Sequence, residues 1–248
     1  MSEFLQVRHL KKNYHTLDGE IEAIKDISFQ IDEGDFVAIV GPSGCGKSTL
    51  LSILANLVNH SDGDIIYHIP NPVIGYMFQE DALFEHFTIM ENILLGLKIR
   101  GKVSEEDRNY VIKLLDKYNL LSFKDKYPKE LSGGMKQRCA LIRTLSIHPD
   151  ILFLDEPFSS LDYHTRLRIG DDIHRMIKDE HKTTIMVTHD IGEAISMANK
   201  VIVLSKSPSV IKSIYNICLE KESIPTENRK DKNYQMYFDQ IWKDLENV

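Results

Sequence analysis

Residues 41–48 have the types and spacing of a loop that binds phosphate groups, because they fit the pattern G-x-x-x-x-G-K-[ST]. Glycines allow backbone N–H groups to converge on phosphate oxygens, and a helix that begins at the loop adds the positive end of its dipole. Lys47 is suited to bridge the β- and γ-phosphates of a nucleoside triphosphate, and the Ser48 hydroxyl is suited to bind Mg²⁺. The alternative is a chance match to the pattern.

The elements on either side of this loop are those that the pattern requires. Residues 36–40 are apolar throughout, as expected of a strand that is buried on both faces of a sheet. Residues 47–57 then have the apolar periodicity of a helix. Strand, glycine-rich loop and helix in this order favour a phosphate-binding loop over a chance match.

Two adjacent carboxylates, Asp155 and Glu156, follow the apolar run 151–154. A carboxylate at the end of a buried parallel strand lies at the carboxyl edge of the sheet, beside a phosphate loop. Asp155 can hold Mg²⁺ there through water. Glu156 points in a different direction and can act as general base on the attacking water. An acidic turn in solvent is the alternative interpretation of this segment.

The sequence Ser132-Gly133-Gly134 is expected to begin a helix that runs through Leu145. Serine at the cap followed by two glycines exposes N–H donors at the positive end of the helix, which favours an anion. Considered alone, the segment is more often an ordinary capped helix.

The segment LSGGMKQ at 131–137, placed between the phosphate loop and the acidic strand, resembles the signature of ABC transporter ATP-binding subunits. The resemblance covers about residues 4 to 220 and implies that the chain binds and hydrolyses ATP with Mg²⁺. It also implies that the signature segment contacts the γ-phosphate held by the other subunit. Two copies would then pair head to tail with two ATP molecules at their interface.

The same resemblance implies roles for four residues outside these motifs. Tyr14 would stack on adenine, and Gln79 would sense Mg²⁺ and the attacking water and relay closure to membrane subunits. Asp162, in the sequence Ser160-Leu161-Asp162, would belong to a loop that crosses the dimer interface. His189 would contact the γ-phosphate. The predicted catalytic residues are Glu156, His189, Lys47 and Gln79; the predicted nucleotide contacts are Tyr14, Gly41, Pro42, Ser43, Gly44, Cys45, Gly46, Lys47, Ser48, Thr49, Ser132, Gly133, Gly134 and Asp162; and the predicted metal ligands are Ser48, Gln79 and Asp155.

Two segments bear on the direction of transport. EPFSSLD at 156–162 is similar to importers of the nitrate, sulfonate and taurine group, and 201–208 also resembles importers. GEIEAIK at 19–25 is instead similar to exporters of the lipoprotein-releasing or macrolide type. The importer is favoured, with transmembrane permease subunits, a solute-binding protein and a second copy of the chain as partners at the cytoplasmic face of the membrane. The transported solute and pairing with a paralogue stay open.

Composition bears on the competing classes of function. The net charge of −7 disfavours nucleic acid as a partner, and three unclustered cysteines disfavour a disulfide or zinc framework. A soluble ABC ATPase of DNA repair or of the ribosome is an alternative, but the coiled-coil arms, zinc modules and tandem cassettes of such proteins are absent from the sequence. A scaffold that binds nucleotide without hydrolysis is disfavoured because Glu156 and His189 are both present.

The predicted fold is α/β, with a P-loop NTPase core, a mostly parallel sheet, an N-terminal antiparallel part and an inserted helical subdomain at about 88–148. Residues 1–230 are predicted to form the ATP-binding domain, and residues 231–248 a C-terminal helix packed on the domain or on a partner. Leu83, Phe84 and Phe87 are equally consistent with a groove for the permease and with core. The predicted strands are 4–10, 27–31, 36–40, 151–154, 184–187 and 201–204.

Overall fold

The structure is a computed structural model and describes residues 2–17, 19–101, 103–220 and 223–246. Its described strands form one sheet in the order β4-β1-β2-β9-β8-β3-β7-β6-β5. The strands are β1 (Glu3–Thr16), β2 (Gly19–Asp32), β3 (Phe36–Val40), β4 (Asp62–Tyr67), β5 (Ile74–Met77), β6 (Ile151–Asp155), β7 (Thr183–Val187), β8 (Lys200–Leu204) and β9 (Ser209–Asn216).

The centre of the sheet is parallel, because β8, β3, β7, β6 and β5 all pair in the same direction. The long strands β1 and β2 form an antiparallel hairpin, which β4 extends. Strand β9 joins the two parts, since it pairs parallel with β2 and antiparallel with β8. The predicted fold class, a mostly parallel core with an antiparallel N-terminal part, is confirmed.

The helices cover both faces of the sheet and fill the segment between β5 and β6. They are α1 (Lys47–Leu54), α2 (Ile89–Arg100), α3 (Glu105–Lys117), α4 (Gly133–Leu145), α5 (Tyr163–Asp179), α6 (Ile191–Met197), α7 (Pro225–Asn228) and α8 (Tyr234–Glu246). Where it is described, the chain between β5 and β6 contains helices and no strand, as the sequence indicated. Whether 88–148 is a separate subdomain stays a prediction. No described helix is long and apolar enough to cross a bilayer.

Each central strand is buried on both faces, which explains its unbroken apolar sequence. In β3, Ala38 and Val40 face a core cluster that includes α4, α5 and α6, whereas Val37 and Ile39 face a second cluster that includes α1. The parallel strands therefore end together at one edge of a rigid sheet, and the residues that follow them are held close to one another.

Strands β4, β5 and β9 were not among the predicted strands. β5 has only four residues and forms an edge of the sheet, so its sequence carries little signal. β4 is only partly buried and lacks a continuous apolar run. β9 alternates between partly buried and exposed residues, but Ser213 lies on its inner side and Ile214 on its outer side, so its sequence lacks a clean apolar and polar alternation.

The C-terminal helix α8 packs on α6 and β8. Of its predicted apolar face, Ile241 is fully buried and Tyr234, Phe238 and Leu245 pack against the larger core cluster, but Trp242 is 49% exposed. Residues 247 and 248 of the predicted C-terminal segment lie outside the described residues, as do 1, 18, 102, 221 and 222.

Candidate functional site

The predicted phosphate loop connects β3 to α1 at the carboxyl edge of the sheet. Gly44 and Gly46 have φ values of +75° and +97°, a left-handed conformation that strains other residues. Gly46 immediately precedes α1, so the loop leads directly into the N-terminus of that helix. The backbone therefore has the form that an anion site at a helix N-terminus needs.

Lys47 is buried although it carries a charge. Its ammonium donates hydrogen bonds to the carbonyl oxygens of Gly41, at 2.9 Å, and Pro42, at 3.0 Å. Because the ammonium lies over the loop that carries it, its charge is available to a phosphate group bound there.

Two of the three predicted metal ligands are in contact. The Ser48 hydroxyl donates to one Asp155 carboxylate oxygen at 2.8 Å, and the Tyr76 hydroxyl donates to the other at 2.9 Å. Burial raises the pKa of Tyr76, so this hydroxyl remains a donor at neutral pH. Nothing in the sequence marked Tyr76, which reaches Asp155 only because β5 and β6 pair side by side.

Glu156 has a φ of +43°, an uncommon conformation for a residue with a side chain. This conformation turns its side chain away from the Asp155 partners and towards the residues after β7. There one Glu156 carboxylate oxygen lies 2.9 Å from His189 Nδ1. The structure thus brings together the two predicted catalytic side chains from the ends of neighbouring strands.

The segment that carries His189 is held by a network that sequence analysis missed. The Thr188 hydroxyl donates to the buried Glu193 carboxylate at 2.7 Å, and Asp190 caps α6 by accepting a bond from the Glu193 N–H at 3.0 Å. Burial raises the pKa of Glu193. The spacing of Asp190 and Glu193 is that of a capping box, so the start of this helix was detectable in the sequence.

The predicted signature segment begins α4, with the Ser132 hydroxyl as N-cap acceptor for the Met135 N–H at 3.4 Å. Gly134 is buried against α5, because a Cβ added there would lie 2.5 Å from Ile169 Cδ1. Ser132 and Gly133 are exposed. Within the described residues, none of the three makes a hydrogen bond to the phosphate loop.

Asp162 caps a helix of its own chain. Its carboxylate accepts a hydrogen bond from the Thr165 N–H at 3.1 Å at the start of α5, and the bonds from Thr165 lower the pKa of Asp162. Its segment lies against two other predicted nucleotide contacts, since a Cβ added at Gly133 would lie 3.4 Å from Leu161 Cδ2 and one added at Gly134 would lie 3.7 Å from Thr165 Cγ2.

Gln79 is exposed, two residues beyond the end of β5 and at the same sheet edge as Asp155. The segment that follows it is fixed by Arg143 of α4, whose guanidinium donates to the carbonyl oxygens of Asp81, at 2.7 Å, and Ala82, at 2.6 Å. Burial lowers the pKa of Arg143. Arg143 thus links the Gln79 segment to the helix that begins at Ser132, a contact that no local pattern predicted.

Tyr14 lies on β1 opposite Ile21 of β2, and its ring is partly exposed below the Lys12 ammonium, 4.6 Å from the ring centroid. Two residues further along β2, the Ala23 carbonyl oxygen would lie 3.6 Å from a Cβ added at Gly46. The hairpin therefore carries Tyr14 to the neighbourhood of the phosphate loop.

Comparisons with known proteins agree with this geometry. A family model described as ABC transporter matches residues 24–159, more than half of the chain. The chain belongs to the ABC transporter ATP-binding family. The resemblance noted in the sequence is thereby confirmed, and the protein is an ATPase subunit of an ABC transporter.

Relatives of this ABC subunit cover nearly all of its length. The ABC transporter ATP-binding protein YtlC of Bacillus subtilis is 43% identical, over 99% of this chain and 96% of that protein. The aliphatic sulfonates import ATP-binding protein SsuB of Bacillus cereus is 37% identical, over 85% and 84%. The ATP-binding cassette MJ0796, solved as a dimer in a post-hydrolysis state with ADP and Pi, is 31% identical with a TM-score of 0.72, over 86% of this chain and 99% of that one.

Proposed function

We propose that this ABC subunit powers the import of a small solute of the nitrate, sulfonate or taurine type, at the cytoplasmic face of the cell membrane. The contact between Glu156 and His189, placed beside Ser48 and Asp155 at one sheet edge, carries the catalytic part of this proposal. The relative named for import of aliphatic sulfonates supports the class of solute.

Ser48 and Asp155 fit the requirements of Mg²⁺, an ion that prefers oxygen ligands and is held in nucleotide sites by few protein groups. Their oxygens lie 2.8 Å apart, and the described residues contain no cluster of three His, Cys, Asp or Glu side chains that would form an all-protein cage. Gln79, which follows β5 at the same edge, is proposed as a further ligand. When bound, Mg²⁺ neutralises charge on the β- and γ-phosphates.

Different residues of this chain bind the phosphates of ATP and activate the attacking water. The phosphate loop and Lys47 hold the phosphates, while Glu156 takes a proton from the attacking water. His189 orients the Glu156 carboxylate through their 2.9 Å contact. It would also stabilise charge on the γ-phosphate.

The proposed assembly is a pair of such chains bound to a permease, with a solute-binding protein in the complete importer. Residues 131–134, called the Ser132 turn, include the exposed Ser132 and would complete the ATP site of the second copy. In the segment after Gln79, Leu83 is buried in the core, but Phe84 is exposed. Phe84 is therefore the residue proposed to contact the permease, while Leu83 supports it from below.

The substitution Glu156→Gln tests the catalytic assignment. It removes the base but keeps the shape of the side chain, so we expect phosphate release to fall by about 10² to 10⁴ while ATP still drives dimer formation. Phosphate release and sedimentation of the same preparation measure both properties. Glu105→Gln, at an exposed position on α3, is the control. Full turnover by Glu156→Gln would contradict the assignment.

Isolation of the chain from its native membrane in mild detergent tests the transport assignment. An importer would co-purify with a polytopic permease and an extracytoplasmic binding protein. A permease without such a protein would favour export, which the resemblance of residues 19–25 to exporters keeps open. Recovery only with ribosomes or DNA would contradict transport.

A further inference from the structure

A groove of about 550 Å³ lies between the segment after His189 and the C-terminal helix α8. Its walls include His189, Gly192, Arg229, Phe238, Trp242 and Leu245. Of these residues, only His189 takes part in the proposed ATP chemistry. The groove therefore needs an explanation of its own.

One wall of the groove is a stack of aromatic rings along α8. The ring centroids of Tyr234 and Phe238 are 6.4 Å apart and those of Phe238 and Trp242 are 6.1 Å apart, with nearly parallel planes. Trp242, at the end of this stack, is 49% exposed, and Tyr163 at the start of α5 is 61% exposed. Tyr163 is close enough to Tyr234 to act on its hydroxyl electrostatically. Exposed aromatic surface of this kind is typical of a contact with another molecule.

The polar groups of the groove converge where Gly192 has no side chain. A Cβ added at Gly192 would lie 2.7 Å from Arg229 Nη1, 2.7 Å from the Tyr234 hydroxyl and 3.0 Å from Asp190 Oδ1. In the part of the chain that the structure describes, Arg229 forms no ion pair, and its Nε is buried without a hydrogen-bond partner. An arginine beside exposed tryptophan and tyrosine has the composition of an interface hot spot.

We propose that this groove is a contact surface for a second copy of the chain, whose α8 lies across it. The proposal rests on the proposed function, in which two copies pair head to tail, with the Asp162 loop expected at their interface and His189 expected at the γ-phosphate enclosed there. Both segments border the aromatic surface, since Tyr163 follows Asp162 and His189 lines the groove. The groove continues that interface, and under two-fold symmetry each copy offers the same surface to the other.

Charge also favours a second copy as the occupant. Two copies with a net charge of −7 repel each other overall, but α8 of the second copy would present the exposed Asp239 carboxylate as a local partner for the guanidinium of Arg229. Asp190 adjoins both this guanidinium and His189, and it caps α6. Occupation of the groove would therefore restrain the segment that positions His189, so the contact would couple pairing to the ATP site.

Trp242 provides a direct probe, because it is the only tryptophan of the chain. Intact Glu156→Gln protein is titrated with ATP and Mg²⁺ while acrylamide quenching of tryptophan emission and sedimentation are followed together. We expect the quenching constant to fall at least about twofold in step with dimer formation, because a half-exposed ring becomes covered. Protection of Trp242 at concentrations where the protein stays monomeric would overturn the proposal and indicate a small molecule in the groove.

A second variant tests the energy of the contact. Trp242→Ala in the Glu156→Gln background should raise the dissociation constant of the ATP-bound dimer by about tenfold or more, as expected for a central aromatic residue, while ATP binding by the monomer is retained. Met236→Ala is the matched control, since Met236 lies on the same helix and is 47% exposed but does not line the groove.

The outcomes separate this proposal from the one on which it rests. Dimers that form with Trp242 unprotected, and with the affinity unchanged in Trp242→Ala, would overturn this inference alone. Absence of any ATP-dependent dimer would overturn the proposed pairing and this inference with it.

Discussion

Two parts of the molecule that are predicted to contact the same nucleotide are built in opposite ways. The first, here called the phosphate-loop face, consists of Lys47, Ser48, Asp155, Glu156 and His189. Lys47 and Ser48 begin α1, and the other three residues lie at or just after the ends of β6 and β7. Their side chains contact one another or the loop at 2.8 to 3.0 Å. The second, the Ser132 turn of residues 131–134, presents a capped helix N-terminus whose serine and first glycine are exposed.

The difference indicates how chemistry is distributed between copies of the chain. The phosphate-loop face is held by a buried sheet, so it is organised before any nucleotide arrives. The Ser132 turn has donors but, among the described residues, no hydrogen bond to that face. A site that needs both would be completed by a second copy.

The largest effect is expected from mixing two inactive variants. Glu156→Gln removes the base, and Ser132→Asp keeps a good helix cap but repels phosphate, so each alone should lose about 100-fold of its ATPase activity or more. Random pairing makes about half of the dimers mixed, each with one intact site of two, so the mixture should recover about a quarter of the unsubstituted activity. Phosphate release from mixed and separate preparations measures this.

The control for this experiment is a single chain that carries both substitutions, mixed with itself. It should remain inactive at every concentration. A mixture of single variants that forms dimers yet shows no activity would contradict a shared site made from the phosphate-loop face of one copy and the Ser132 turn of the other.

Much of the phosphate-loop face could be predicted from the sequence because its signals are local. The glycines before Lys47 and the apolar run before Asp155 each report on a few consecutive residues whose geometry the pattern fixes. The Ser132 cap was predictable for the same reason, and the structure confirms it as the start of α4.

The contacts that link distant segments could not be predicted in this way. Tyr76 reaches Asp155 across two paired strands, and Arg143 reaches Asp81 over 62 positions of sequence. Neither residue has a neighbour in sequence that would reveal its partner. The strained φ of Glu156 likewise depends on the packing of β6 and β7 rather than on any residue preference.

Arg143 links the Gln79 segment, which lies at the same sheet edge as Asp155, to the helix that begins at the Ser132 turn, so its removal should weaken both the fold and turnover. Arg143→Met leaves the carbonyls of Asp81 and Ala82 without a donor, and we expect the free energy of unfolding to fall by about 3 kcal/mol and turnover to fall about tenfold. Denaturant unfolding and steady-state kinetics measure these. Arg143→Lys keeps the charge but not the planar guanidinium with its two donors, so it should recover only part of the lost stability and part of the lost turnover. An unchanged turnover would show that the Gln79 segment needs no such support.

Asp35 immediately precedes β3, the strand that leads into the phosphate loop. It therefore stabilises the sheet that holds the phosphate-loop face but not the Ser132 turn. Burial would raise its pKa, but hydrogen bonds from Asn199, the Asp32 N–H and Lys200 outweigh burial and lower the pKa below its usual 3.8. The stabilisation is therefore complete above about pH 4 and is lost as the pH falls through the lowered pKa. Asp35→Asn should cost about 2 kcal/mol at neutral pH, and the difference should close in acid. Unfolding curves at several pH values measure it, and a constant difference would contradict the assignment.

Tyr14 is expected to give the smallest effect, because it contributes a stacking surface and no catalytic group. Tyr14→Ala should weaken ATP binding by about 1 kcal/mol, or roughly fivefold, and leave turnover at saturating ATP unchanged. Tyr14→Phe keeps the ring and should bind normally. Equilibrium titration with ATP and with the triphosphate of a smaller pyrimidine base separates base stacking from phosphate contacts. Loss of stacking should weaken the binding of the adenine nucleotide more than that of the pyrimidine nucleotide. An equal loss for both nucleotides would place Tyr14 outside the adenine site and restrict the phosphate-loop face to its contacts with phosphate.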